Sequence, residues 1–450
     1  MSCIDFLLTN FRSHSGADAI VWRDQVYNYC WLAERVRHWH DYLVQNEVAA
    51  GTVVALEADF SPNAVALFLA LVDAQCVLVP LTSAVAAKRS EFLEVAQAEL
   101  SIAIDEHDEV SIAKLGQTAT HAIYDKLRVA QHPGLVIFSS GSTGKSKAAV
   151  HDAIPLLEKF KTPRHALRTI SFLLYDHIGG INTMLYTLAN GGCLVTVQDR
   201  APDAILRAVD LHRVDLLPTS PTFLNLVLIS EAWKRYDLSS LKTVSYGTEP
   251  MPESTLRRFH ELFPQINLLQ TYGLSEVGIL RSKSRSSDSL WVKIGGDGFE
   301  TRIVDGILQI KAQSAMLGYL NATSPFTDDG WYNTGDRVEV DGEWMRILGR
   351  ESEIINVGGE KVYPAEVESV LQEVPGVCEA VVFGVKNPIT GMMVSARIST
   401  TDESLDDKSL ISAAKAHCRK RLQAFKVPVK VEVVRETQHS ARFKKIRKPA

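Results

Sequence analysis

The sequence predicts an α/β protein: a large N-terminal region of layered α/β subdomains with mostly parallel sheets, a β-rich subdomain, and a small α+β C-terminal domain. Three observations carry this. Strand-like apolar runs (Val53–Leu56, Cys76–Leu81, Leu135–Phe138, Cys193–Val197, Thr243–Tyr246) alternate with helical patterns (Asn63–Val72, Asp203–His212, Glu253–Leu262), the signature of sheets crossed by helices. Short strands with glycine turns then run from Trp291 to Leu348, Gly306–Ile310 among them. Finally, the pattern restarts near Ser352 as a compact unit.

Within that last unit Pro364 suits the first turn of a helix reaching Glu373. Strands Ala380–Val385 and Val394–Ile398, a helix near Asp406–Leu422 and a strand Lys430–Val434 follow. We therefore expect domains at 1–351 and 352–450.

Composition excludes several classes. Hydrophobic residues at 46% and charged residues at 22% are ordinary for a globular chain, and 450 residues bury large cores without staples. A net charge of -5 gives no bulk attraction for nucleic acid. The six cysteines have no CxxC pair or zinc spacing, so they read as reduced thiols of a cytoplasmic protein. The apolar stretch Ala64–Pro80 is broken by Asp73 and Gln75, so no transmembrane segment is expected. Met1–Gly16 lacks the basic start and long apolar run of a leader.

The first chemical signal is Ser139-Ser140-Gly141-Ser142-Thr143-Gly144-Lys145-Ser146-Lys147, directly after the run Leu135–Phe138. Glycines and small hydroxyl residues let backbone N–H groups approach phosphate oxygens, and lysines add charge. Gly144-Lys145-Ser146 fails the Walker-A spacing, because position 139 is serine.

This loop resembles the phosphate loop of the adenylate-forming superfamily, which comprises acyl- and aryl-CoA ligases, luciferase and peptide-synthetase adenylation domains. The family has Pro at Ser146 and Gly at Ala148, and its loop lysine falls on Lys147. Further segments follow in the family's order. Tyr272-Gly273-Leu274-Ser275-Glu276 is similar to its Tyr-Gly-x-Thr-Glu. The resemblance implies that Tyr272 stacks on adenine, Ser275 meets the α-phosphate and Glu276 helps hold magnesium, a pairing of carboxylate and phosphate oxygens that suits Mg2+. Gly247-Thr248-Glu249-Pro250 resembles the other wall of the adenine slot. Thr334-Gly335-Asp336 is similar to the family's ribose segment: Asp336 accepts from the ribose hydroxyls, and Arg350 lies nearby. Gly358 and Gly359 fall in the hairpin that lines the family's thiol channel, and the hinge position is occupied by Ser352, with Glu353 as its neighbour. The resemblance implies that the C-terminal domain is mobile.

Attack on the α-phosphate needs a cation beside the charge that builds there. The family's Gly-Lys-Ile-x-Arg segment corresponds to Phe443-Lys444-Lys445-Ile446-Arg447. Alignment on the final arginine selects Lys444, and alignment on Lys-Ile selects Lys445; spacing favours Lys444. Near the acyl site, His177 and Asn182 fall where coumarate-type ligases carry similar residues, and Asp176 lies beside the place where peptide-synthetase domains hold an α-amino group.

The resemblance thus implies an ATP- and Mg2+-dependent enzyme that converts a carboxylic acid to acyl-AMP and pyrophosphate. The acyl group then passes to a thiol, from coenzyme A or the phosphopantetheine of an acyl carrier protein. Two alternatives stay open: an adenylating enzyme that loads only a carrier protein, and a degenerate nucleotide-binding sensor.

Overall fold

The computed structural model describes residues 2–140, 146–402, 404–440 and 442–447. Two seven-stranded sheets dominate the first 280 residues. In one, the strands Asp18–Trp22, Cys193–Val195, Arg168–Ile170, Leu216–Thr219, Thr243–Tyr246 and Asn267–Gln270 run parallel, side by side. In the other, Leu100–Ile104, Val53–Glu57, Val77–Leu81 and Gly134–Ser140 are parallel, and Ser146–Asp152 returns antiparallel to Gly134–Ser140.

The central strands are apolar throughout because helices cover both faces. Val77–Leu81 is buried along its whole length. The helix Pro62–Asp73 is buried on nearly every side and packs between the sheets; it starts cleanly because the Ser61 side chain accepts from the Ala64 N–H and Pro62 occupies the first turn.

The β-rich region is a six-stranded antiparallel sheet, from Arg281–Ser284 to Trp344–Arg350. A short 3-10 turn, Glu351–Glu353, leads into the last unit. There the strands Ile355–Val357, Glu360–Val362, Glu379–Asn387, Gly391–Ser399 and Lys430–Val434 form a sheet whose core is closed by the helices Pro364–Leu371 and Asp407–Arg421. Pro364 does sit in the first turn of its helix. Among the described residues, the cysteines are all free and no helix is long and apolar enough to cross a membrane.

Candidate functional site

Three neighbouring parallel strands bring separate stretches of sequence together. Leu216–Thr219, Thr243–Tyr246 and Asn267–Gln270 are in register, with Thr219 beside Tyr246 and Tyr246 beside Gln270. The loops after them leave the sheet at the same carboxyl edge, where open α/β sheets bind ligands. They carry Ser220–Thr222, Gly247–Pro250 and Tyr272–Glu276. Gly247 is required here: a Cβ would stand 2.7 Å from the Thr271 carbonyl oxygen.

The Glu249 carboxylate accepts from the Thr222 N–H at 2.9 Å and from the Thr222 hydroxyl. Thr222 lies in the first turn of the helix Pro221–Ser230, where backbone donors are unsatisfied and negative charge is favoured. The other oxygen of Glu249 accepts from the Lys445 N–H at 3.2 Å. Pro250 adjoins Gly349, so this loop also touches the strand that carries Arg350.

Tyr272 is buried, and its hydroxyl donates to Asp336 at 2.5 Å. Asp336 and Arg350 are cross-strand partners, with side chains 3.5 Å apart. Burial raises the Asp336 carboxyl above its ordinary value, and Arg350 opposes the rise. Glu276 is buried and accepts from the Tyr319 hydroxyl at 2.7 Å. His151, a residue the sequence did not single out, holds this segment from beneath: its ring nitrogens lie 2.5 Å from the Ser275 carbonyl oxygen and 3.1 Å from that of Ser314. Its only sequence signal is a histidine next to the apolar run Ala148–Val150 of its strand.

The phosphate-loop residues are split. Ser139 ends the strand Gly134–Ser140 opposite Lys147, Ser140 pairs with Ser146, and the Lys147 amine sits over the Tyr319 ring at 5.2 Å. Lys147 and Glu276 therefore share Tyr319. Gly141, Ser142, Thr143 and Gly144 lie outside the described residues.

The C-terminal tail closes the site. The Ser220 hydroxyl, which accepts from the Phe223 N–H, donates to the Phe443 carbonyl at 2.8 Å. Phe443 has φ +51°, a left-handed conformation that disfavours side chains other than glycine. Its ring is held in place by Phe172, Phe223 and His439. The Arg442 guanidinium donates to Asp176 at 2.9 Å, and Thr82 donates to the same oxygen at 3.1 Å. The second oxygen of Asp176 is buried without a partner among the described residues. Burial raises the Asp176 carboxyl, and Arg442 and Thr82 oppose this.

Lys444 and Lys445 part company here. The Lys445 amine is almost fully enclosed and donates to Glu368 at 2.9 Å and to the Ala380 carbonyl at 3.0 Å. Arg447 binds both oxygens of the same Glu368, and also Glu353. Burial alone would raise the Glu368 carboxyl, but Arg447 and Lys445 hold it well below the carboxylate range. Lys444 instead lines a cavity of about 300 Å³ with His177, Thr248 and Arg442. Burial pushes its amine down to about 8; Glu249 and Glu276 oppose the shift, whereas Arg442 and Arg350 reinforce it.

His177 caps the helix Ile178–Ala189: its Nδ1 accepts from the Gly179 N–H at 3.0 Å. Burial, then the charges of Lys444 and Arg442, drive the ring well below its ordinary value. The neutral ring therefore carries its proton on Nε2. Gly180, one turn on, must be glycine because a Cβ would meet the Leu174 carbonyl oxygen at 2.1 Å.

Gly358 and Gly359, with φ +61° and +96°, form the turn between Ile355–Val357 and Glu360–Val362. Their N–H groups bond to the Thr390 carbonyl and the Asn356 side chain, within the C-terminal sheet. The structure thus gathers Lys444, His177, Thr248, Glu249, Asp336, Arg350, Tyr272 and Glu276, and leaves the glycine turn in the C-terminal sheet's own hydrogen bonding.

Comparison with known proteins shows the family of the chain. A family model described as AMP-binding enzyme matches residues 8–306, and one described as AMP-binding enzyme C-terminal domain matches residues 366–444. Among similar curated proteins, an indoleacetate–CoA ligase of Aromatoleum aromaticum is 28% identical over 71% of this chain and 66% of its own length. A feruloyl-CoA synthase of Amycolatopsis is 29% identical over 66% of this chain and 65% of its own. The matched part thus spans a little under two thirds of these relatives. The crystal structure of the anthranilate CoA ligase AuaEII in complex with anthranoyl-AMP superposes with a TM-score of 0.83 at 18% identity, covering 99% of this chain and 95% of that one, which shows the fold.

Proposed function

We propose a function from one premise: the chain belongs to the AMP-binding enzyme family. It activates a carboxylic acid with ATP, giving acyl-AMP and pyrophosphate, and then transfers the acyl group to a thiol with release of AMP. The observation that carries this is the Lys444 amine, enclosed but unpaired among the described residues, in a cavity shared with His177 and Thr248.

Several features fit a nucleotide. The Gly247–Pro250 and Tyr272–Glu276 loops leave one sheet edge side by side, at the carboxyl edge where open α/β sheets bind ligands. Asp336 keeps acceptor capacity beyond its bond from Tyr272, enough for ribose hydroxyls. Arg350 adds positive charge beside it.

The residues also fit Mg2+. Among the described residues no cluster of three or more potential ligands exists; Glu276, bonded by the Tyr319 hydroxyl whose ring also meets the Lys147 amine, would supply one carboxylate. One carboxylate is what Mg2+ needs when phosphates and water complete its shell. Bound there, the ion would neutralise phosphate charge.

Below about pH 8 Lys444 is a cation, placed to stabilise charge on the α-phosphate as the substrate carboxylate attacks it. Neutral His177, with its Nε2 proton, offers one donor to a carboxylate oxygen of the acid. The Arg442–Asp176 pair closes the acid site behind the tail. For the second half-reaction the tail must leave, since a thiol has to reach the acyl carbon where Phe443 and Lys444 now lie; the Gly358–Gly359 turn is the proposed guide for the incoming arm. The boundary near Ser352, beside the Glu351–Glu353 turn, is the proposed pivot.

Relatives named as CoA ligases support coenzyme A as the thiol; they include an indoleacetate–CoA ligase, a feruloyl-CoA synthase and a long-chain-fatty-acid–CoA ligase, so an aryl and a fatty acid are both to be tried. A carrier protein's phosphopantetheine ends in the same thiol, and a cytoplasmic setting suits either acceptor. Incubating ATP, Mg2+ and an aryl or a fatty acid with each acceptor tests the reading. Pyrophosphate release with acid, and AMP plus acyl-CoA on adding coenzyme A, is the expected result.

A further inference from the structure

The two strands that flank the phosphate-loop sequence are gripped from outside by one short stretch of chain, residues 83–95. After the strand Val77–Leu81 the chain makes a 3-10 turn, Ser83–Lys88, and then a helix, Arg89–Val95. The helix lays Phe92 flat against Phe138, with ring centroids 3.9 Å apart and planes 1° from parallel. Phe138 stands on the outgoing strand Gly134–Ser140, opposite Ala148 on the returning strand Ser146–Asp152. Lys88, the last residue of the turn, brings its amine to the Ser146 hydroxyl at 3.1 Å. The same stretch therefore holds both strands.

Ser146 is the foot of the returning strand and pairs with Ser140. Its carbonyl accepts from the Asn321 side-chain amide at 2.9 Å, and the Asn321 Oδ1 accepts from the Ala148 N–H at 3.0 Å. The Ser146 side chain is buried, and among the described residues its hydroxyl bonds only to Lys88, as the Lys88 amine bonds only to it. A buried hydroxyl left without a partner is costly, so this one bond fixes the side chain. Successive residues of a strand point to opposite faces of the sheet. Lys147 holds its amine over the Tyr319 ring, whose hydroxyl donates to Glu276. Ser146 faces the other way, on the side where Ala148 and Val150 share a core with Phe92 and Phe138. Lys88 thus reaches the strand pair from the face away from Glu276, and acts through Ser146.

Resting on the adenylation reading above, we propose that Lys88 is a positioning residue for ATP. By holding Ser146 it fixes the closing pair Ser140–Ser146 at the base of the phosphate-loop sequence. Less freedom is then left for the triphosphate to remove on binding, which tightens ATP without touching the acid.

The test is the kinetics of pyrophosphate release, with ATP and the acid varied separately. Lys88→Ala should raise KM for ATP about five-fold, the size of one partly solvated charged hydrogen bond, and leave KM for the acid and the thermal midpoint unchanged. Lys88→Arg should keep KM for ATP near the wild-type value. Ser146→Ala should behave like Lys88→Ala, and the double variant should be no worse than either, because all three break the same bond. An unchanged KM for ATP in both single variants, or effects that multiply in the double variant, overturns the inference. So does an equal rise in both KM values, which a loosened fold would give. Calorimetric titration with ATP and Mg2+, without acid, needs no turnover. If the wild type releases no pyrophosphate with any acid, the adenylation reading fails on its own. The inference about Lys88 then stands or falls on whether Lys88→Ala binds ATP more weakly than the wild type and Lys88→Arg does not.

Discussion

At the scale of the residue, the two adjacent lysines have opposite environments and should fail in opposite ways. Lys444→Ala removes the cation at the reacting phosphate and should lower acid-dependent pyrophosphate release about 100- to 1,000-fold while leaving thermal stability nearly unchanged. Lys445→Ala uncovers part of a buried carboxylate and should cost about 3 kcal/mol of stability, read by denaturant melts. Lys444 must be charged to act, so kcat/KM should fall as pH rises through about 8. Phe443 offers a sharper case. Its left-handed backbone favours glycine, but its ring packs among aromatics, so Phe443→Ala keeps the strain and loses the packing. Phe443→Gly should be more stable than Phe443→Ala by about 1 kcal/mol, in paired melts. Spacing in the sequence favoured Lys444 over Lys445, but the different surroundings of the two amines were not in the spacing: Glu368, which the Lys445 amine meets, is 77 residues away.

At the scale of the element, the strands and helices that build the site were the most legible part of the chain. The expected helix Glu253–Leu262 and strand Thr243–Tyr246 are present with those bounds, because apolar periodicity is strong in both. The helix Pro364–Leu371 ends two residues earlier than its pattern suggested, at a tight turn into Glu379–Asn387. What periodicity could not reveal is contact between elements. The Asp176–Arg442 pair joins a helix start to the tail across 266 residues of chain, and His151 supports the Ser275 backbone across 124. Such pairings depend on how the sheets bring their loops together. The Asp176–Arg442 pair also makes a prediction. Asp176→Asn, which keeps the shape but removes the charge, should loosen the tail and raise its cleavage rate in limited proteolysis, with a loss of about 10-fold in adenylation rate.

At the scale of the whole molecule, Glu368 ties the tail, the C-terminal sheet and the turn at Glu353 into one unit. Its folded-state value lies below the ordinary 4.5, so its contribution to stability is full above that value and fades as pH falls toward about 2. Stability of the wild type should therefore drop through that window more steeply than that of Glu368→Gln, as followed by thermal melts across pH. The account's central claim is that the tail carries the cation for acyl-adenylate formation into a site assembled by three parallel strands. Acid-dependent pyrophosphate release by wild type, Lys444→Ala and Lys445→Ala, each at equal folded concentration, tests it most directly. The account predicts release by wild type, near-complete loss in Lys444→Ala, and retention per folded molecule in Lys445→Ala. Loss in Lys445→Ala with full activity in Lys444→Ala would contradict it.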